Sequence, residues 1–267
     1  MKVQSKMRQS FVSSYGPWAV VAGASEGLGA AFAEVLATRG VNLVLLARRA
    51  ELLAEVTGRL SAERNVEVRA EACDLARPDL ASVLARVTRD LDVGLAIYNA
   101  AYAPVGNMLD HSTDDLLRVI DVNVRGPLVF ARTLAPAMVK RGRGGVVLMS
   151  SMAGFQGAPR IATYAASKAF NTVLGEGLWR ELAPHGVDVL VSCAGAIRTP
   201  GYTKTARGDA PGTLDAAVVA RRTLDALARG PTVVPGATNR LARFLLGRVL
   251  PRRAAISLMA NSTKDLT

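Results

Sequence analysis

The stretch Trp18-Ala-Val-Val-Ala-Gly23-Ala-Ser-Glu-Gly27-Leu-Gly29 decides the fold, because a short apolar run leads directly into three closely spaced glycines. The run has the length of a buried strand, and the following residues, Ala30–Arg39, have the pattern of a helix. Glycines at such a junction let the backbone turn sharply, and the free N–H groups at the helix start attract an anion. The stretch therefore predicts a phosphate-binding turn, although a merely tight turn would need the same glycines.

The rest of the chain alternates short apolar runs with helical patterns. The further predicted strands are Val41–Ala47, Val66–Ala72, Gly94–Asn99, Val146–Ser150, Val187–Cys193 and Thr232–Val234. The helical patterns between them include Ala50–Arg64, Pro78–Asp90 and Thr113–Val124. Strands that are almost wholly apolar indicate a parallel sheet with helices on both faces. Such repeats also build barrels, but the glycine turn favours a single-domain, Rossmann-like α/β fold with a doubly wound, seven-stranded sheet.

Composition limits the class of protein. The chain has 267 residues, of which 50% are hydrophobic and 21% charged, and it contains no apolar run of the roughly 20 residues that span a bilayer. The start is basic but no long apolar region follows it, so we expect no secretory signal. Cys73 and Cys193 have no metal-ligand spacing, which predicts buried thiols, no metal site and a cytoplasmic protein.

The formal net charge of +11 raises the question of a nucleic-acid or membrane partner. The basic residues are mostly arginines scattered over the helical patterns. Examples are Arg39, Arg59, Arg86, Arg118 and Arg180. A nucleic-acid binder would gather them on one face with exposed aromatic residues. We therefore expect solvated helix faces and pockets for an anionic cofactor, and no nucleic-acid partner.

The end of the second strand bears on the choice of cofactor. An NAD site would place an acid there, about 20 residues beyond the glycines, to bind the ribose hydroxyls. This chain has Arg48 and Arg49 instead, whose guanidinium groups suit a 2′-phosphate, unless both simply face solvent. NADP(H) is therefore favoured over NAD(H). Asp74, which ends the third strand, is placed to accept a hydrogen bond from adenine, and Asn99 ends the fourth.

Tyr164 and Lys168 stand four residues apart, which puts both on one face of a helix, and Ser151 ends the fifth predicted strand. A tyrosine has a pKa near 10 and is a poor base at neutral pH. A nearby ammonium and an oxidised nicotinamide would both favour the phenolate. The three residues predict proton transfer to or from a carbonyl oxygen, with Ser151 holding that oxygen.

These motifs resemble the classical short-chain dehydrogenase/reductase family over roughly Trp18 to Val234. The resemblance implies a catalytic set of Ser151, Tyr164, Lys168 and Asn123, in which Asn123 holds a water near Lys168 and Lys168 binds the nicotinamide ribose. The predicted cofactor contacts are Gly23, Ser25, Glu26, Gly27, Leu28, Gly29, Arg48, Arg49, Asp74, Leu75, Asn99, Ala100, Ala101, Tyr164, Lys168, Gly195, Ile197 and Thr199. The chain departs from the family at Tyr98-Asn-Ala-Ala101, usually N-N-A-G, and at Ala194-Gly195, usually P-G.

The expected function is that of an NADP(H)-dependent enzyme that interconverts a ketone or aldehyde and an alcohol. The predicted pocket, Met152–Gln156, the segment after Ala101 and the loop Ala196–Pro211, is mainly apolar, which favours a hydrophobic substrate. Arg198 is the exception, either a carboxylate ligand or a loop charge. The alternative function is a non-catalytic, nucleotide-sensing regulator on the same fold, which would be expected to have lost one of the catalytic residues.

The ends of the chain stand apart from the predicted catalytic domain, residues 17–239. Residues 1–16 form an N-terminal extension, and residues 240–267 an apolar, arginine-rich one. The latter is predicted to cover the active site beside Ala196–Pro211 with its arginines outward, to form a subunit interface or to touch a membrane, the last being least favoured. The resemblance implies a homodimer or homotetramer.

Overall fold

A seven-stranded parallel sheet forms the centre of the computed structural model, which describes residues 2–205, 208–264 and 266. Its strands are β1 (Trp18–Ala22), β2 (Asn42–Ala47), β3 (Val68–Ala72), β4 (Val93–Tyr98), β5 (Gly144–Ser151), β6 (Val187–Ala194) and β9 (Thr232–Val233). They lie in the order β3-β2-β1-β4-β5-β6-β9. A separate two-stranded pair consists of β7 (Ile197–Arg198) and β8 (Leu214–Asp215). The predicted single-domain, doubly wound sheet is confirmed.

Helices cover both faces of the sheet. The helices of the described chain are α1 (Lys2–Tyr15), α2 (Gly27–Thr38), α3 (Ala50–Glu63), α4 (Leu80–Val87), α5 (Thr113–Ile120), α6 (Gly126–Arg141), α7 (Ala162–Leu182), α8 (Pro200–Thr205), α9 (Ala216–Ala226), α10 (Ala237–Phe244) and α11 (Arg252–Thr263). One apolar cluster joins α2, α3 and α9 to the sheet, and a second joins α4, α6 and α7 to its other face. Burial on both sides explains why β1 and β4 are apolar at nearly every position.

The point where the strand order reverses positions the site. β1 lies between β2 and β4, so the chain leaves β1 toward one side of the sheet and later continues on the other. In open α/β sheets this arrangement leaves a crevice at the carboxyl ends of the strands. The glycine turn after β1, the loops after β4 and β6, and Ser151 at the end of β5 therefore share one edge.

The structure differs from the sequence-based expectation in two central elements. The predicted helix Thr113–Val124 ends as α5 at Ile120, and a π-helical turn, Asp121–Arg125, follows it. β3 is half-exposed rather than buried on both faces, because it is the edge strand. Its charged side chains, Arg69 and Glu71, are partly exposed to solvent.

Residues 2–15 form a helix that packs on the sheet rather than a separate appendage. Tyr15 is buried, and its hydroxyl donates a 2.6 Å hydrogen bond to the Asp188 carboxylate in β6. Phe11 and Val12 pack against the apolar cluster of α2 and α3. The N-terminal helix therefore closes the edge of the sheet opposite the predicted site.

Candidate active site

The glycine turn after β1 has the shape that a close approach to an anion requires. Gly23 and Gly27 have positive φ angles of 83° and 56°, which side chains rarely allow. A Cβ atom at Gly29 would collide with the Gly23 carbonyl, and one at Gly23 would lie 2.7 Å from Ala100. Asn99 fixes the turn, because its Nδ2 donates a 3.0 Å hydrogen bond to that same carbonyl. The turn leads into α2 at Gly27, so free N–H groups lie at the expected place.

Two arginines border this turn where an NAD site would carry an acid. Arg49 forms a 2.6 Å ion pair with Glu26, and its guanidinium lies 3.3 Å from the Ser25 hydroxyl. Arg48 is exposed, and its charge acts on Asp74. The predicted arginines therefore do lie beside the glycine turn, and Arg49 contacts two residues of that turn.

Asp74 has hydrogen-bond partners within the protein that the sequence did not indicate. Its carboxylate accepts hydrogen bonds from the Ala76 N–H at 3.0 Å and from Arg118 at 2.7 Å. Burial raises the pKa of Asp74, but these two donors outweigh it and hold that pKa below its ordinary value. An adenine group would share Asp74 with Arg118, a contact that the sequence did not reveal. Leu75, next to it, is buried, which leaves only its backbone for a ligand.

Ser151, Tyr164 and Lys168 converge between β5 and α7. Ser151 ends β5, and its hydroxyl accepts a 3.2 Å hydrogen bond from the Ala153 N–H, which begins a short 3-10 turn. Lys168 is buried, its Nζ lies 5.5 Å from the centre of the Tyr164 ring, and it donates a 2.9 Å hydrogen bond to the Met149 carbonyl. The spacing on α7 thus does place phenol and ammonium on one face.

Burial has the largest effect on the pKa values of Tyr164 and Lys168. Burial raises the pKa of the Tyr164 phenol, and the nearby Ser151 hydroxyl opposes that rise. Burial also lowers the pKa of Lys168 to about 8. The pKa of the Tyr164 phenol therefore lies above its ordinary value in this structure. A phenol with a raised pKa remains protonated at neutral pH, which suits a proton donor.

Asn123 is buried in the π-helical turn and connects two parts of the site. Its Oδ1 accepts a 2.8 Å hydrogen bond from the Tyr102 N–H, while its Nδ2 donates to the Tyr102 carbonyl at 2.8 Å and to the Ser167 hydroxyl at 3.0 Å. Tyr98, which departs from the family pattern, donates a 2.6 Å hydrogen bond to the Val122 carbonyl in the same turn. Tyr98 therefore helps to position Asn123, a role that the sequence reading missed.

The turn after β6 lacks the proline of related sequences and is braced from the C-terminal side instead. Asn239 in α10 is buried and donates hydrogen bonds to the Gly212 carbonyl at 3.0 Å and the Pro235 carbonyl at 2.9 Å. A Cβ atom at Gly195 would lie 2.8 Å from Asn239. Thr199 lies beside the glycine turn, since a Cβ atom at Gly27 would approach it to 3.0 Å.

The side chain of Arg198 is a loop charge. It forms ion pairs with Asp209 at 2.6 Å and Asp215 at 2.8 Å, and it is exposed. These contacts satisfy the guanidinium within the loop that joins β7 to β8. These contacts favour the loop-charge alternative for Arg198.

A depression in the surface lies beside Tyr164. It is lined by Pro104, Gly106, Met108, His111, Leu116, Arg160, Ile161, Ala162, Thr163 and Tyr164. The segment after Ala101 was predicted there, whereas His111 and Arg160 were not. Arg160 has a positive φ of 65°, and its backbone carbonyl accepts a 2.9 Å hydrogen bond from the Gly106 N–H. No motif signals such a contact, because it joins two loops that are distant in sequence.

The C-terminal helix α11 packs behind this depression. Met259 packs with Ile161 and Tyr164 on a small cluster of Ala153, Ala158 and Ala165. The Thr263 hydroxyl donates a 2.9 Å hydrogen bond to the Pro159 carbonyl. Arg252 donates to the Phe155 carbonyl at 2.8 Å, and the Arg243 guanidinium lies 3.6 Å from the centre of the Phe155 ring.

These contacts correct two details of the predicted C-terminal arrangement. Between residues 252 and 263 the segment packs on residues 153–165, while contact with the loop after β6 is made through Asn239 in α10. Of the arginines predicted to face outward, Arg243 and Arg252 contact Phe155, whereas Arg240, Arg248 and Arg253 are exposed. The segment therefore borders the side of the site that carries Tyr164.

A protein-family model described as short chain dehydrogenase matches residues 17–209. The chain belongs to the short-chain dehydrogenase/reductase family. The 7beta-hydroxysteroid dehydrogenase of Clostridium sardiniense is 34% identical over 202 residues, which make up 75% of this chain and 77% of that protein. As a member of this family the chain is an oxidoreductase with a Rossmann-like, nucleotide-binding fold.

Solved structures of other short-chain dehydrogenases agree with this assignment. One, from a study of 7beta-hydroxysteroid dehydrogenase stereoselectivity, superimposes with a TM-score of 0.88 at 27% identity, covering 93% of this chain and 98% of that one. A short-chain dehydrogenase from Sphingobium yanoikuyae, solved in complex with NADPH, has a TM-score of 0.75 at 32% identity, covering 82% and 87% of the respective chains. In the described part of this chain, no helix is both long and apolar enough to cross a bilayer.

Proposed function

We propose that this protein is an NADP(H)-dependent enzyme that interconverts a ketone or aldehyde and an alcohol on a mainly hydrophobic small molecule. The observation that carries the proposal is the convergence of Ser151, Tyr164 and the buried Lys168 at the edge of the sheet that also holds the glycine turn. This set offers a hydrogen bond and a proton to a carbonyl oxygen, beside a turn suited to a pyrophosphate.

Each catalytic side chain has a distinct task in this proposal. The Ser151 hydroxyl donates a hydrogen bond to the substrate oxygen and orients it toward Tyr164. The Tyr164 phenol, kept protonated by its burial, gives its proton to that oxygen during reduction and takes it back during oxidation. Lys168 supplies positive charge next to the phenol. Asn123 positions α7 through Ser167, and its own side chain is occupied by protein groups.

The residues of the glycine turn fit a dinucleotide. Gly23, Gly27 and Gly29 leave a cradle that a Cβ atom would fill, and α2 begins directly behind it. Arg48 and Arg49 would hold a 2′-phosphate, and Thr199 and Ile197 would contact the nicotinamide end. When bound, NADPH supplies the reducing equivalents. The positive charges of Arg48, Arg49 and Arg118 exceed the two negative charges of Glu26 and Asp74, which favours the additional phosphate of NADP over NAD.

A hydrophobic substrate is supported by the lining of the depression beside Tyr164. Met108, Leu116 and Ile161 are apolar, and Met259 packs behind them. The similarity to 7beta-hydroxysteroid dehydrogenases supports a bulky alicyclic ketone or alcohol as the first class to examine. We further propose a homodimer or homotetramer in the cytoplasm, with no role for a metal ion.

Cofactor titration tests the proposal. We expect NADPH to bind the full chain more tightly than NADH, and Arg48→Ala with Arg49→Ala to weaken NADPH by roughly 10- to 150-fold, the value of one charge-assisted hydrogen bond. NADH affinity should fall by much less than this, because NADH has no 2′-phosphate whose contact could be lost. Fluorescence titration of both cofactors measures this difference, and carbonyl compounds are then screened with the tighter cofactor.

The single variants of Arg48 and Arg49 serve as controls for each other. Arg49 also holds Ser25 and Glu26, so Arg49→Ala alone disturbs the turn, whereas Arg48→Ala removes an exposed charge. An equal loss for NADPH and NADH in both single variants would show damage to the turn rather than phosphate recognition. Equal affinities of the unchanged protein for NADPH and NADH would refute the cofactor assignment.

A further inference from the structure

Residues 240–253 combine exposed apolar side chains with exposed arginines. Leu241, Phe244 and Val249 are each more than half exposed, at 59%, 58% and 57%, and Leu245 is exposed as well. They lie on the helical segment formed by α10 and the π-helical turn Leu245–Val249. Large apolar side chains that cluster on a surface mark a place where something binds. We call these four side chains, with Arg240 and Arg248, the outer face.

The fold separates this outer face from an inner one. Leu246 and Leu250 are half-buried, whereas the four apolar side chains of the outer face point away from the protein. Helical spacing places Leu246 and Leu250 on the opposite side from Leu241, Leu245 and Val249. Because Leu246 and Leu250 are less exposed than the other four apolar side chains, the exposed surface of this segment has both apolar and basic character.

The charged residues of this region are all basic. From residue 226 to residue 264 the sequence contains no Asp or Glu, but it contains Arg229, Arg240, Arg243, Arg248, Arg252, Arg253 and Lys264. Arg240, Arg248 and Arg253 are exposed and form no ion pair within the described part of the chain. A partner of this face must therefore accept apolar side chains and carry negative charge.

We propose that the outer face binds the surface of a membrane that contains anionic lipids. Leu241, Phe244 and Val249 would enter the boundary between headgroups and acyl chains, while Arg240 and Arg248 reach the phosphates. No described helix can span a bilayer, so the contact is peripheral. A second copy of this chain fits less well, because a symmetric contact through this face would bring Arg240 and Arg248 of both copies together.

Co-sedimentation with vesicles tests this proposal on the full chain. We expect binding to vesicles of phosphatidylcholine with added phosphatidylserine, and much weaker binding to phosphatidylcholine alone. Each arginine near an anionic surface contributes about fivefold, so Arg240→Gln with Arg248→Gln should weaken binding by roughly 25-fold. Leu241→Ser with Phe244→Ser should weaken it on the order of tenfold or more. Added salt should reduce binding as well.

A matched control keeps the test specific. Arg221→Gln with Arg222→Gln removes the same charge from two exposed arginines of α9 and should leave binding nearly unchanged. The melting temperature of each variant shows whether it is folded. An equal loss in both arginine pairs would overturn the proposal, since binding would then follow net charge alone.

Two further outcomes would also overturn it. The first is an absence of binding of the unchanged chain to either kind of vesicle. The second is dissociation of the oligomer by Leu241→Ser with Phe244→Ser, measured by light scattering without vesicles. That result would show that the outer face binds a second copy of this chain. Neither result bears on cofactor binding, so the proposed enzymatic function is tested separately.

Discussion

The central sheet and the C-terminal segment use their arginines in opposite ways. Around the sheet, Arg39, Arg59 and Arg86 each have a carboxylate at 2.6 Å, so their charges are compensated locally. In the C-terminal segment, Arg240 and Arg248 have no such partner in the described structure and stand among exposed apolar side chains. Part of the net charge of +11 therefore lies in the C-terminal segment, beside exposed apolar side chains. Total charge says little about partners until the pairing of each residue is known.

The same contrast holds for the site. The side that faces the glycine turn is built from short motifs on β1 and α7, whose geometry follows from strand order and helical spacing. The side that faces the substrate is built from loops and from α11, which meet only in the folded chain. If this division is right, substitutions on the first side should affect chemistry and those on the second should affect substrate choice.

The largest expected effect comes from Tyr164→Phe. Removal of the hydroxyl takes away the proposed proton donor, and general acid–base catalysis typically contributes about 10²- to 10⁴-fold, so kcat should fall by that range. The fold and NADPH affinity should persist, because only one oxygen atom is lost. Steady-state reduction of an accepted ketone measures the change.

Tyr102→Phe is the matched control for that variant. Tyr102 also lies near the site, but its hydroxyl donates a 2.8 Å hydrogen bond to Asp115 rather than facing the catalytic group. We expect kcat to change little in this variant. If Tyr164→Phe reduced the ketone at the original rate, the acid–base assignment and the comparison built on it would both be wrong.

A smaller effect is expected from Met259→Ala on α11. The change opens space behind Ile161 and Tyr164, so kcat/KM should shift on the order of tenfold between a small and a bulky ketone. NADPH affinity should remain the same. Leu258→Ala, an exposed neighbour on the same helix, provides the control and should alter neither quantity. A change in NADPH affinity would show that α11 affects the cofactor side of the site as well as the substrate side.

The sequence predicted the fold well because its signals are local. Each strand is a short apolar run, and the glycines between β1 and α2 need no distant partner to be recognised. Tyr164 and Lys168 were found for the same reason, since four residues on a helix fix their relative direction.

Contacts between distant segments could not be predicted in this way. The π-helical turn that holds Asn123 depends on Tyr98 from β4, and the turn at Gly195 depends on Asn239 from α10. Spacing separates the leucines of the C-terminal segment into two sides but does not tell which side is buried, because that depends on the direction to the domain. The assignment of each catalytic and cofactor contact stays a prediction.

Transfer of deuterium from labelled NADPH tests the central claim most directly. The full chain is mixed with an accepted ketone and NADPH in which both hydrogens on the reactive carbon of the nicotinamide are deuterium, and the alcohol is analysed by mass spectrometry and NMR. The account predicts one deuterium on the former carbonyl carbon, with the hydroxyl proton drawn from solvent through Tyr164. An alcohol without deuterium at that carbon, or no alcohol with any of the carbonyl classes tried, would contradict it.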